Sequence, residues 1–456
     1  MVSLFLRIPL MIVGIALCAG CQPVERAVTQ AAIATGAVEG TEGVNVARRT
    51  DDPTIRTELK ALRAHPQVAA ALSALSDQEE RNLPRHIALT EIPAPPFGED
   101  KRAEAFLDLL RAAGVEQATR DAEGNVLALR PGTVGARTIV LAAHIDTVFP
   151  EGTDVTVTQK GDTYSAPGIG DDTRGLIVLL SLAELLNEHG IETRDNILFV
   201  GTVGEEGLGD LRGVKALFAN PDLSIDSFIA VDSGNVNWVI NSAVGSHRYR
   251  VTFKGPGGHS FGGFGVAHPH QALGNAITQF TERGTAVVVE AERATFSVGR
   301  IGGGKAINAI PSESWMEVDM RSLVQDDLDK LDDALRSAVQ DAVEAENTRR
   351  RSGKKLTVSI DQVGQRPAAK GDPDLLLTRQ AVAVLEGMGA VPLLVPASTD
   401  ANVAISLGVP AITIGNGGVT RQAHALDESW ESKTASKGLE LALLLTLMQS
   451  GLNADE

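Results

Sequence analysis

Cysteine is almost absent from this chain. It has two, Cys18 and Cys21, both within the first 21 residues. The body of the protein therefore carries no disulfide framework, and its stability has to come from the size of its core. Positive charge is also short. Lys and Arg total 41 against 58 Asp and Glu, a formal net charge of −17. That argues against nucleic acid as a partner, because neutralising phosphates takes clustered Lys and Arg. Beyond this exclusion, an acidic balance mostly keeps a surface soluble.

The opening stretch, MVSLFLRIPLMIVGIALCAGC, has one positive charge (Arg7) and an apolar run too short for a comfortable membrane span. Small residues then precede Cys21, which is the grammar of a signal peptide. Its end, CAGC, resembles a bacterial lipobox, with Cys18 where Leu is usual. The expectation is a lipoprotein signal over 1–21 and an exported chain anchored through a lipid on Cys21. Gln22 fits the periplasmic face of an outer membrane. A soluble secreted or periplasmic form is the alternative.

A chain of 456 residues is long for one domain, and its 43% hydrophobic and 22% charged content is ordinary for a soluble enzyme. Residues 22–52 lack sustained periodicity and read as a flexible tether. A helical segment begins near Pro53 and is broken at Pro66. Strand and helix patterns then alternate: strand 138–143, helix 175–186, strand 197–203, helix 211–218, strand 228–231. Such alternation implies an α/β fold whose mostly parallel sheet is flanked by helices. Residues 244–364 instead follow a β-α-β-β-α-β order, the ferredoxin-like plan. They read as an inserted domain dividing a catalytic domain of 53–243 and 365–456. That second part carries helix 374–385, strand 411–414 and a final helix over 433–449.

Polar residues cluster where the strands end. After 138–143 comes HIDT, with His144 and Asp146; after 197–203 come Glu205 and Glu206; after 228–231 comes Asp232. The segment after 411–414 runs GNGGVTRQAH to His424, and APGIGDDTRG brings Asp171 and Asp172 just before a helix. Each has a bland reading on its own: a loop histidine, a helix cap, a solvated acidic pair. Together they fall at one edge of one sheet, where open parallel sheets bind ligands.

Imidazole and carboxylate donors are the set that zinc and related divalent ions take. Two histidines with three carboxylates exceed what one open catalytic ion uses. They suit two ions about 3.5–4 Å apart sharing a carboxylate, which activate a water and polarise a carbonyl. Neighbouring side chains diverge on extended backbone. Hence Glu206 reads as a ligand, and Glu205 as the general base acting on the water.

At this point the chain resembles the co-catalytic zinc metallopeptidases that include carboxypeptidase G, peptidase T, the aminoacylases and carnosine-type dipeptidases. The resemblance runs from about Pro53 to the end, through HIDTV, GIGDDTRG, GEEGLGDLRG, VDSG, GPGGHS, INAIPSE, DMRS and GNGGVTRQAH. It implies two divalent ions, zinc first with cobalt or manganese as alternatives. His144, Glu206, Asp232 and His424 would be terminal ligands, and Asp146 would orient His144. Asp171 would bridge the ions, with Asp172 the alternative, and a cis peptide would follow the bridging residue. The inserted domain matches the family's lid and dimerisation domain, so the resemblance implies a homodimer. There His259 would steady the oxyanion in a neighbouring subunit's site, while Asn308 and Arg321 would grip a substrate carboxylate. The stretch Asn416–Val419, NGGV, which includes Gly418, would offer backbone N–H groups.

The expected function is amide hydrolysis in a small peptide or N-acyl amino acid. Asp232, where many relatives carry Glu, resembles the peptidase T and dipeptidase side and favours substrates with a free amino group. A non-peptide amidohydrolase is the alternative, and a catalytically silent tethered binding protein the alternative of another class.

Overall fold

The computed structural model describes residues 45–47 and 52–453. The expected signal peptide, Cys21 and most of the expected tether lie outside them. Among the described residues no helix is long and apolar enough to cross a membrane.

The strands of the main layer are β1 (Asn45–Val46), β2 (Gln117–Arg120), β3 (Val126–Arg130), β4 (Thr138–His144), β7 (Asn196–Thr202), β8 (Ser227–Val231), β9 (Trp238–Ala243), β16 (Leu393–Ala397) and β17 (Ala411–Ile414). They form one sheet in the order β1-β16-β9-β17-β8-β4-β7-β3-β2. Its centre, β17-β8-β4-β7, is parallel throughout. The chain reverses at β9 against β17 and at β3 against β7. The central strands are continuous apolar runs because both faces are covered. In β4, Ile139 to His144 are all buried.

Helices flank this sheet: α1 (Pro53–Ala64), α2 (Pro66–Ser73), α3 (Leu75–Thr90), α4 (Asp100–Ala112), α5 (Thr173–Glu188), α6 (Arg212–Ala219), α9 (Leu376–Gly387), α10 (Ala401–Ser406) and α11 (Ala435–Ser450). The helix α5 is apolar around its circumference and buried from Thr173 to Leu186, the pattern of a central helix rather than a surface one. A small antiparallel sheet, β18-β19-β6-β5, is built from β5 (Thr158–Lys160), β6 (Thr163–Ser165), β18 (Val419–Arg421) and β19 (Ser429–Glu431). It brings Trp430 and Tyr164 against Ile169 beside the sheet edge.

Between β9 and β16 the chain builds a second body. Its strands are β10 (Gly245–Lys254), β12 (Ala294–Gly303), β14 (Glu313–Ser322) and β15 (Thr357–Arg366), and its helices α7 (Pro269–Glu290) and α8 (Gln325–Arg349). The sheet order β12-β14-β10-β15, all antiparallel, is the ferredoxin-like arrangement. Its own core includes Tyr249, Phe253, Phe280, Leu331 and Leu335. A short ribbon of β11 (Gly258–His259) and β13 (Ala309–Ile310) projects from it.

One stretch departs from the reading of the sequence. Asn45 and Val46, inside the segment expected as tether, pair antiparallel with Leu394 and Leu393 as the edge of the main sheet. A two-residue strand carries too little periodicity to be recognised.

Candidate metal centre

Because β17, β8, β4 and β7 run parallel, their carboxyl ends share one edge, and the functional side chains gather there. His144 is the last residue of β4, Asp232 follows β8 directly, and Glu205 and Glu206 follow β7. Asp171 arrives on the loop before α5, and His424 on the loop after β18. His424 has φ +68, a left-handed conformation that non-glycine residues rarely adopt.

Asp171 stands between the two histidines. Its Oδ1 lies 3.0 Å from His144 Nε2 and its Oδ2 3.0 Å from His424 Nε2. His424 Nε2 is also 2.9 Å from Glu206 Oε1, and His144 Nε2 is 3.9 Å from Asp232 Oδ1. One carboxylate thus faces a His144–Asp232 half and a His424–Glu206 half. The peptide between Asp171 and Asp172 is cis.

Asp172 is otherwise engaged. It caps α5 by accepting from Gly175 N–H at 3.0 Å, and it accepts from Asn416 Nδ2 at 3.1 Å and His144 N–H at 3.2 Å. It remains within 4.8 Å of His144 and Asp232 donor atoms, but its oxygens are spent on these donors. Gly175 is required here, since a Cβ would stand 2.3 Å from Val231 O and 2.4 Å from the Asp172 oxygens.

Asp146 is fully buried, and its carboxylate does not make the expected contact with His144. His144 Nδ1 meets the backbone carbonyl of Asp146 at 2.9 Å, while the carboxylate Oδ1 is 3.8 Å away. The two carboxylate oxygens instead accept the N–H groups of Glu205 and Glu206, each at 2.9 Å. Asp146 therefore positions the backbone of both glutamates at once. This bidentate hold fixes where their side chains diverge.

Glu205 is buried and meets a partner that sequence reasoning missed. Arg366, the last residue of β15, donates through Nη1 to Glu205 Oε1 at 2.8 Å and through Nη2 to Glu205 O. Burial still pushes the Glu205 carboxyl well up, with the Glu206 charge adding and Arg366 opposing. Burial likewise raises Asp232 to about 7 and Asp146 to about 6. Hydrogen bonds to Asp171 and Glu206 raise His424 to about 11. Burial disfavours charge on His144, yet Asp171, Asp232 and Asp172 outweigh it and raise that group too. The carboxylates crowded here raise both imidazoles, which marks the site as anionic and suited to cations. Its imidazole and carboxylate donors, split into two halves around one shared carboxylate, fit a pair of divalent ions.

The centre opens into a cleft of about 1280 Å³. Arg321, Arg248 and Arg366 line it from the second body, and Trp238 and Lys437 elsewhere. Asp319 on β14 aligns two of these cations, accepting from Arg248 Nε at 3.0 Å and Arg321 Nε at 2.8 Å. Gly418 also lines the cleft, at φ +81, and a Cβ there would sit 2.2 Å from Trp430 Nε1. Packing alone therefore accounts for that glycine.

His259 and Asn308 are elsewhere. Both are exposed, on the ribbon of β11 and the segment entering β13, and neither lines the cleft of its own chain. They are close to one another, since Ser260 N–H donates to Asn308 O at 3.0 Å.

Residues 140–447 match the family described as peptidase family M20/M25/M40. An uncharacterised protein of Bacillus subtilis, YqjE, is 26% identical over 330 residues, covering 71% of this chain and 84% of that protein. Carboxypeptidase G2 of a Pseudomonas species is 26% identical over 204 residues, 43% of this chain and 47% of the enzyme. Among solved structures, aminopeptidase PepT from Bacillus cereus superposes with a TM-score of 0.64 at 21% identity, covering 80% of this chain and 97% of that one. The dipeptidase Dug1p from Saccharomyces cerevisiae gives 0.66 at 13% identity over 84% and 98%.

Proposed function

Since the chain belongs to peptidase family M20/M25/M40 and is a hydrolase of the peptide and amide class, we propose that it is a two-metal hydrolase cleaving the amide bond of small peptides. The observation that carries this reading is Asp171, which presents one oxygen to each histidine beside a buried Glu205. His144 and Asp232 would hold one ion, Glu206 and His424 the other, and Asp171 both. Zinc is the ion this donor set favours, with cobalt and manganese as alternatives. When bound, such a pair supplies a water with pKa of about 7 and polarises the substrate carbonyl.

The protein's own residues do the rest. Glu205 takes the proton from the attacking water and passes it to the leaving amine. Arg366 holds that carboxylate in place, and Asp146 fixes the backbone on which it sits. Arg321, with Arg248 beside it, offers a guanidinium to a substrate carboxylate. His259 and Asn308, absent from their own cleft, serve the cleft of a second copy in a homodimer built through the lid, where His259 steadies the oxyanion. Lipidation at Cys21 would place the enzyme on an exported membrane surface.

The deciding experiment measures metal content and hydrolysis of a di- and tripeptide panel for the native protein and Glu205→Gln. Two equivalents of metal in both, with turnover lost by about 10²–10⁴-fold in the variant, supports the reading. Two metals without turnover of peptides or N-acyl amino acids redirects it to non-peptide amides. No metal uptake after reloading sinks it and leaves a tethered binding protein.

A further inference from the structure

Glu428 lies four residues beyond His424 and is fully buried, 0% exposed. It is no part of the donor set, yet its carboxylate is wholly engaged with the loop that carries Asp171. Its Oε2 accepts from Gly168 N–H at 3.0 Å; its Oε1 accepts from Gly170 N–H at 2.8 Å and from Asp171 N–H at 3.0 Å. The carbonyls of the same loop are tied as well. Gly168 O accepts from Thr173 Oγ1 at 2.7 Å, Ile169 O meets His86 Nε2 at 2.7 Å, and Gly170 O accepts from Asn416 Nδ2 at 3.0 Å. Asn416 and Glu428 both belong to the stretch of chain that bears His424.

A buried carboxylate is a costly way to cap a loop unless its geometry is needed. Here two carboxylate oxygens accept from three N–H donors at once, which an amide with its single oxygen cannot do. The hold runs between the two segments whose ligands must meet, since Asp171 Oδ2 and His424 Nε2 are 3.0 Å apart. We propose that Glu428 is a positioning residue of the two-ion centre: by tying the Asp171 loop to the His424 segment it sets the spacing of the half-site that Asp171, Glu206 and His424 share. This rests on the two-metal reading above.

The test is a calorimetric zinc titration of metal-stripped native protein, Glu428→Gln and Glu428→Asp. Leu335→Ala, a cavity in the lid core, serves as a destabilised control. Amide exchange at Gly168, Gly170 and Asp171 is followed in the metal-free proteins. The expected result is two equivalents for native protein and for Leu335→Ala. In Glu428→Gln one equivalent weakens by at least about tenfold, as when the outer partner of a ligand is removed, and the three amides exchange faster. Glu428→Asp keeps the charge one methylene short and falls between; it carries the test should Glu428→Gln fail to fold. Native affinity for both equivalents in the Glu428 variants, whatever their Tm, overturns the proposal and leaves a structural cap. A native protein that takes up no zinc overturns the two-metal reading itself, a failure seen in the native titration and not in the variants.

Discussion

Arg366 holds Glu205 at two points, donating to its carboxylate at 2.8 Å and to its backbone carbonyl. Their side chains are 5% and 6% exposed, so this ion pair is buried at the seam where the last strand of the second body returns to the main sheet. A buried charge stripped of its partner is far more costly than the pair is worth. Arg366→Met therefore lowers stability by about 3–5 kcal/mol, and adding Glu205→Gln recovers most of that loss. Urea unfolding of the two single variants and the double variant measures the coupling. Additive losses would mean that the contact does not hold the two residues together.

Asp171 and Asp172 are adjacent acids with separable consequences. Asp171→Asn removes the shared carboxylate, and the protein then retains at most one of two metal equivalents. Asp172→Asn puts an amide N–H₂ against donors already committed to the carboxylate, costing about 1–3 kcal/mol, while both equivalents still bind. Metal analysis alongside thermal unfolding distinguishes them. Reversed phenotypes would assign the bridge to Asp172.

His86 gives a pH dependence with a definite sign. Burial, with Arg174 nearby, pushes it down from its ordinary 6.5 to about 3, so it is neutral in the folded protein. The unfolded chain binds a proton near 6.5 that the folded chain refuses. Between those values the unfolded state holds the extra proton, and stability falls as pH falls below 6.5. His86→Gln removes this contribution. The stability advantage of metal-free native protein over the variant should thus shrink by about 2 kcal/mol between pH 7.5 and 5. Urea titrations at the two pH values check it; parallel losses would refute it.

His259 is exposed and outside its own cleft, and the homodimer proposed above has it serve the cleft of the second subunit. Glu205→Gln and His259→Ala are each expected to be nearly inactive. Mixing them by dissociation and reassembly creates hybrids in which one site has its own Glu205 and the other chain's His259. About a quarter of native activity returns if half the dimers are such hybrids. Absence of recovery, with hybrids verified by mass, would remove His259 from the reaction.

Much of this centre was legible in linear form. His144, Glu206, Asp232 and His424 stand beyond apolar runs that read as buried strands, and parallel strands deliver such residues to one edge. The second body's β-α-β-β-α-β order was visible because its periods are regular, as in Leu328, Leu331 and Leu335 on α8. The β1 edge strand and the small sheet bearing Trp430 were not, being two or three residues per strand.

What the amino-acid order determined by itself was which polar residues follow the central strands and the sheet that gathers them, because apolar patterning is written locally along the chain. What only the tertiary structure decided was how those donors are held. Whether Asp171 or Asp172 faces both histidines depends on which one caps α5. Asp146 serves two glutamate N–H groups as well as a histidine. Arg366 and Glu428 carry no local signal at all, since their partners lie 161 and 257–260 residues away. A hydrogen bond between distant segments is chosen by packing, and packing exists only once the chain has folded.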